Sequence, residues 1–267
     1  MMISRWARRC TSALAFTVVV AAAQAQAPAG VNPLLLKPVD QLTPDEVRGM
    51  QQRLSDWPDL ARYREANARV PAKQPGVPRV LFYGDSITQL WGEKDPAQFF
   101  PGKGYLNRGI SGQTTPQLLL RFRQDVIALQ PDVVVILAGT NDIAGNTGPS
   151  TQAMIEDNLH SMVELARANG IGVVLASVLP VSEYRWMPGI EPAPKVRALN
   201  AALKHYADAQ GLVYLDYYTA MANAAGGLDP ALAADGVHPT AKGYALMSPL
   251  AEQAIAKALQ DAPAATH

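Results

Sequence analysis

The stretch DVVVILAGTND, residues 132–142, decides the fold. Its run from Val133 to Leu137 is apolar without alternation and rich in β-branched residues, as in a strand buried on both faces. The run then turns abruptly polar at Gly139-Thr140-Asn141-Asp142. Comparable runs flank it: VLFYG (80–84), YLNRGI (105–110), IGVVLASVL (171–179) and LVYLDY (212–217). Helical patterns separate them. One opens with Pro116 in its first turn. A second carries Ile155, Leu159, Met162, Val163 and Ala166 on one stripe and ends at Gly170. A third repeats that design with Val196, Leu199, Leu203 and Tyr206 and ends at Gly211. A last helix spans about Thr240 to Leu259 and is expected to kink or break at Pro249. Apolar strands alternating with helices predict an α/β fold with a doubly wound parallel sheet. In such a sheet the working residues sit just beyond the strand C-termini.

Length and composition narrow the function. The chain has 267 residues, 48% of them apolar, and a formal charge of zero, which argues against disorder and against nucleic-acid binding. Its first 25 residues read as an export signal: Arg5, Arg8 and Arg9, then the apolar run TSALAFTVVVAAA, then Ala23-Gln24-Ala25 as a cleavage site. Cleavage after Ala25 is preferred over Ala27, because Pro28 would directly follow the second cut. The apolar run is short of the ~20 residues that span a bilayer, so no stable membrane anchor is expected. Cys10, the single cysteine, falls within the signal, which leaves the mature chain without thiol or disulfide chemistry. Removing the three arginines leaves 20 basic against 23 acidic residues. The expected product is an exported, periplasmic or secreted protein that acts on a small or neutral molecule.

Residues 26–78 form a helical preamble. Thr43, Pro44 and Glu46 make a helix start with a capping box. A second helix is expected over Asp56 to Val70, and PAKQPGVP (71–78) leads into the core. The preamble carries few large apolar residues, so it is expected to pack on the main domain, 79–260, with 261–267 as a tail.

Four polar clusters lie beyond the apolar runs: Gly84-Asp85-Ser86, Asn107 to Gly112, Gly139 to Asp142, and Asp235-Gly236-Val237-His238-Pro239. Taken singly, each is ordinary cap or turn chemistry. Taken together they supply a reaction centre. A serine hydroxyl needs a base to remove its proton, and that base needs an acceptor to orient it. Asp235 and His238 are three apart around a glycine, so the carboxylate can reach Nδ1–H while Nε2 faces Ser86. His160 and His205 lie within helical patterns, and His267 in the tail. Ser111 also follows a strand and is the weaker rival nucleophile. The N–H groups of Ser86 and Gly109 and the amide of Asn141 are candidate oxyanion donors.

These residues resemble the SGNH, or GDSL-type, hydrolase family, named for Ser, Gly, Asn and His in four separated blocks. Ser86 matches its nucleophile in GDSIT, Gly109 its glycine in NRGISG, Asn141 its asparagine in GTND, and Asp235 and His238 its acid and base in DGVHP. The resemblance covers about residues 79–260. It implies a flavodoxin-like three-layer α/β/α sandwich with a five-stranded parallel sheet. It also implies a shallow site and hydrolysis of esters or thioesters. No G-x-S-x-G elbow is present, in keeping with that family.

No H-E-x-x-H, P-loop or G-x-G-x-x-G pattern occurs, so neither metal nor cofactor is expected. The loop VSEYRWMPGIEPAP (181–194) offers Tyr184, Trp186 and Met187 as a pocket wall, or else as packing for neighbouring loops; Trp91 is assigned to the core. Without an evident lid, short acyl groups are favoured, acetyl groups on carbohydrates above all. A lysophospholipase, a thioesterase, an acyltransferase and a non-catalytic glycan-binding module are the alternatives.

Overall fold

The computed structural model describes residues 33–261. Five strands, β1 (Val80–Gly84), β2 (Leu106–Gly109), β3 (Val133–Leu137), β4 (Gly172–Ala176) and β5 (Val213–Leu215), form one sheet in the order β2-β1-β3-β4-β5. Every pairing is parallel. β1 and β3 are buried along their whole length, as their unbroken apolar runs require. Alternate residues feed two cores. Leu81, Tyr83, Val134, Ile136, Val173 and Leu175 pack under helices Thr115–Asp125, Gln152–Ala168 and Pro192–Gln210. Val80, Phe82, Val133, Val135, Leu137 and Val174 meet Trp91, Tyr244, Met247 and Ile255 on the opposite face, so Trp91 is core, as the sequence indicates. The result is an α/β/α sandwich whose strand order changes direction at β1 and β3. That reversal opens a crevice at their C-terminal ends.

Two helices depart from expectation. The last, Ala241–Asp261, runs through Pro249 without interruption. Tyr244, Met247, Ala251 and Ile255 bury its inner face on both sides of the proline, and the Ser248 hydroxyl donates to the Tyr244 carbonyl at 2.9 Å. Packing here outweighs the single hydrogen bond lost. The expected helix over Asp56 to Val70 shrinks to Arg64–Ala68. Asp59 takes a left-handed φ of 56°, and the Asp56 carboxylate accepts the Leu60 and Ala61 N–H groups at 2.8 and 2.9 Å, which closes a turn instead. Helix Pro44–Ser55 does carry the Thr43–Glu46 capping box. The export signal, Cys10 and all of the tail beyond residue 261 lie outside the described residues. Among the described residues no helix is long and apolar enough to cross a membrane.

Candidate active site

The chain leaves β1 at Gly84 and turns at once into the short helix Ser86–Gln89. Asp85 caps that helix, its Oδ1 accepting the Ile87 N–H at 3.0 Å. The cap is therefore Asp85, which leaves the Ser86 hydroxyl available for other partners. Burial pushes the Asp85 carboxyl up to about 7, and the Ile87 bond only partly offsets it. The Asp142 carboxyl, after β3, is likewise raised by burial to about 6, even though it accepts both the N–H and the hydroxyl of Thr115.

Asp235-Gly236-Val237-His238 brings an imidazole to the serine. His238 Nε2 lies 2.9 Å from Ser86 Oγ, and Nδ1 lies 2.7 Å from Asp235 Oδ2. The other carboxylate oxygen, Oδ1, accepts the N–H groups of Val237 and His238 at 2.9 and 2.8 Å. Burial acts to raise the Asp235 carboxyl, but the bonds from the His238 ring, the His238 N–H and the Val237 N–H outweigh it and hold it at about 2. Asp235 thus stays ionised beside the imidazole and fixes its orientation. Behind the turn, Thr240 donates its N–H and hydroxyl to the carbonyls of Leu232 and Ala231 at 2.7 and 2.8 Å. The remaining histidines stand apart. His160 stacks on Tyr206 at 3.7 Å, His205 is exposed, and His267 lies outside the described residues. No hydrogen bond joins the Ser111 hydroxyl to a histidine among the described residues; its N–H donates to Gln89 Oε1 at 2.8 Å.

The candidate oxyanion donors are not equally free. Gly109 is the last residue of β2, and its N–H donates to Asn107 Oδ1 at 3.0 Å, so it is already engaged. Gly109 also has no room for a side chain: a Cβ there would lie 2.2 Å from the Gln89 nitrogen and 2.7 Å from the Asp85 carbonyl oxygen. Gly112, three residues on, sits in the turn with φ 77°, and among the described residues its N–H meets no protein acceptor. The Ser86 N–H is similarly open. Asn141 is buried, donates one Nδ2 hydrogen to the Gln113 carbonyl at 2.9 Å, and accepts Asn146 Nδ2 at 2.8 Å. Its second Nδ2 hydrogen has no acceptor among the described residues. The signal for Gly112 was in the same NRGISG run. The first glycine falls inside the strand pattern, whereas the second lies beyond it.

The three candidate pocket residues separate. Tyr184 is 1% exposed, its hydroxyl shared with Thr140 Oγ1 at 2.8 Å, and Met187 is also buried in the core. Both pack beneath the neighbouring loops rather than lining a pocket. Trp186 is 41% exposed, with Nε1 donating to Asn146 Oδ1 at 3.1 Å and its ring 5.1 Å from that of Tyr184. Two surface cavities, one by Phe100, Ala245 and Glu252 and one by Arg167, Tyr206 and Gln210, include neither Ser86 nor His238.

A strand-end serine, histidine and aspartate on a 2-1-3-4-5 parallel sheet define a class of α/β hydrolytic fold. Residues 82–246 match the GDSL-like lipase/acylhydrolase family model, and the chain belongs to that family of ester hydrolases. A GDSL-like lipase of Bacteroides thetaiotaomicron superposes with a TM-score of 0.73 and is 44% identical, over 76% of this chain and all of its own. An acetylxylan esterase of Geobacillus stearothermophilus is 29% identical over 64% of this chain and 90% of its own length. Its crystal structure superposes with a TM-score of 0.55. A human homolog of isoamyl acetate-hydrolyzing esterase 1 is 31% identical over 49% of this chain, which spans 60% of the human protein's length.

Proposed function

We propose that the protein is an exported serine esterase that removes short acyl groups, acetyl above all, from carbohydrate esters. The observation that carries this reading is the continuous relay of Asp235, His238 and Ser86, with both ring nitrogens bonded at 2.7 and 2.9 Å. In the proposed reaction His238 Nε2 takes the Ser86 proton as Oγ attacks the ester carbonyl. The carbonyl oxygen becomes negative where the N–H groups of Ser86 and Gly112 and the second Asn141 amide hydrogen are available. His238 then gives its proton to the departing alcohol, which leaves an acyl-enzyme. Water enters, His238 deprotonates it, and collapse of the second tetrahedral adduct releases the acid and restores Ser86.

Support for a short acyl group comes from an acetylxylan esterase and an isoamyl acetate-hydrolyzing esterase homolog among the relatives. Support for a sugar alcohol comes from Trp186. Its indole edge is tied to Asn146, which in turn bonds Asn141 and the Gly112 carbonyl, so an exposed ring stands at the rim of the oxyanion turn. Export is supported by the basic, apolar and Ala-x-Ala regions of residues 1–25. The purified mature chain is tested on p-nitrophenyl esters of rising length, acetylated xylooligosaccharides and lysophospholipids. The reading expects acetate esters to be cleaved fastest. Preference for long-chain esters or lysophospholipids would overturn the substrate class, and added sugar acceptor separates transfer from hydrolysis.

A further inference from the structure

The segment before β1 has two unlike parts. Helix Pro44–Ser55 buries no residue, and Lys37 pairs with its Glu46. Residues 56–70, by contrast, are bonded into the site. The carbonyls of Trp57, Pro58 and Leu60 accept the side-chain amides of Gln117, Gln113 and Gln124 at 2.6, 2.7 and 2.7 Å. Asn67 donates to Asp125 Oδ1 and accepts Arg108 Nε, both at 2.7 Å. The Tyr63 hydroxyl donates to the Gly109 carbonyl, and the Arg108 guanidinium lies over its ring at 4.9 Å.

Gln113 is where these bonds meet the oxyanion turn. It is buried, and its Oε1 accepts Nε of the wholly buried Arg121 at 2.6 Å. Its Nε2 donates to Pro58, and its backbone carbonyl accepts Asn141 Nδ2 at 2.9 Å. Arg121 is itself held by Asp125 and by the carbonyl of Gly84, each at 3.0 Å. The Gln113 carboxamide, held through both its oxygen and its nitrogen, therefore sets where its own backbone carbonyl points, and that carbonyl sets the Asn141 amide. Gly112 is its immediate neighbour.

We infer that residues 56–70 are a strap that positions the oxyanion donors. Tyr63 acts through the Gly109 peptide and Pro58 acts through Gln113, and together they hold the turn carrying the Gly112 N–H and the Asn141 amide. Tyr63 and Gln113 are positioning residues, and the inference rests on the esterase reading above. Displacement of such donors by a fraction of an ångström is felt mainly in the transition state, where the oxygen carries charge.

The test is Tyr63→Phe, which deletes the hydroxyl and keeps the ring under Arg108. With p-nitrophenyl acetate its kcat should fall about 10-fold while KM moves by less than about twofold. The pH profile should keep its midpoint, because Ser86, His238 and Asp235 are untouched. A trifluoromethyl ketone, whose hemiketal oxyanion needs the same donors, should bind more weakly by the same factor as kcat falls. Asn67→Ala, which unties the strap at Arg108 and Asp125, should act in the same direction and serves if the first variant misfolds. Glu46→Gln, in the outer helix, should change none of these values. Wild-type kcat and ketone affinity in either folded variant would overturn the strap, as would a kcat loss without loss of ketone affinity. A wild-type protein inactive on every ester would instead overturn the esterase reading.

Discussion

The hydroxyl of Tyr244, on the last helix, donates to the carbonyl of Ile87 at 2.8 Å, one residue past the serine and 157 residues away in sequence. Its ring also stacks on Trp91 at 5.0 Å. The helix that follows His238 is thereby latched to the helix that begins with Ser86. Tyr244→Phe leaves a buried carbonyl without its donor, which costs about 1–3 kcal/mol. Urea unfolding should read that loss, and kcat should fall with it because the His238–Ser86 distance loosens.

The pH dependence of stability should report Asp85. Its carboxyl is raised from 3.8 to about 7 in the fold, so folding takes up a proton between those values. The native state then binds more protons than the unfolded chain, and the slope of stability against pH is negative in that window. This contribution is full below the unfolded value and is lost as pH rises through about 7. Asp85→Asn keeps an oxygen for the Ile87 N–H and removes the titration. Its melting temperature relative to wild type should therefore climb between pH 4 and pH 8. A parallel pair of curves would refute the assignment.

Asp235 behaves in the opposite sense. Held at about 2, it stays ionised throughout the working range, so it cannot set the acid limb of activity. Asp235→Asn removes the carboxylate that selects the Nδ1–H tautomer, and kcat should drop by about 10²-fold or more with KM little altered.

Gly109 should prove structural. An alanine there meets backbone atoms of Gln89 and Asp85, which cannot rotate away as a flexible side chain could. Gly109→Ala should lower the melting temperature or prevent folding. A folded Gly109→Ala protein whose only defect is in kcat would return the donor role to that residue.

Much of this was legible in the sequence because the strands announce themselves. Val133 to Leu137 has no solvent-facing residue, so its run is unbroken, and the polar clusters had to lie past the strand ends. What stayed hidden depended on atoms far apart in the chain. The Asp56 carboxylate turns an expected helix into a turn, and Gly109 is occupied by Asn107. Tyr184 disappears into the core beside Thr140, a partner 44 residues away. Pro249 is tolerated because the buried face around it holds the helix, and local propensity carries no record of that.

The central claim is that Ser86 receives the acyl group. Rapid mixing of the enzyme with p-nitrophenyl acetate, followed by acid quench and peptide mapping, tests it directly. One acetyl group per chain is expected on the peptide containing Ser86, and none in Ser86→Ala, which should keep the wild-type fold and lose turnover. Acetyl on Ser111, or substantial turnover by Ser86→Ala, would contradict it.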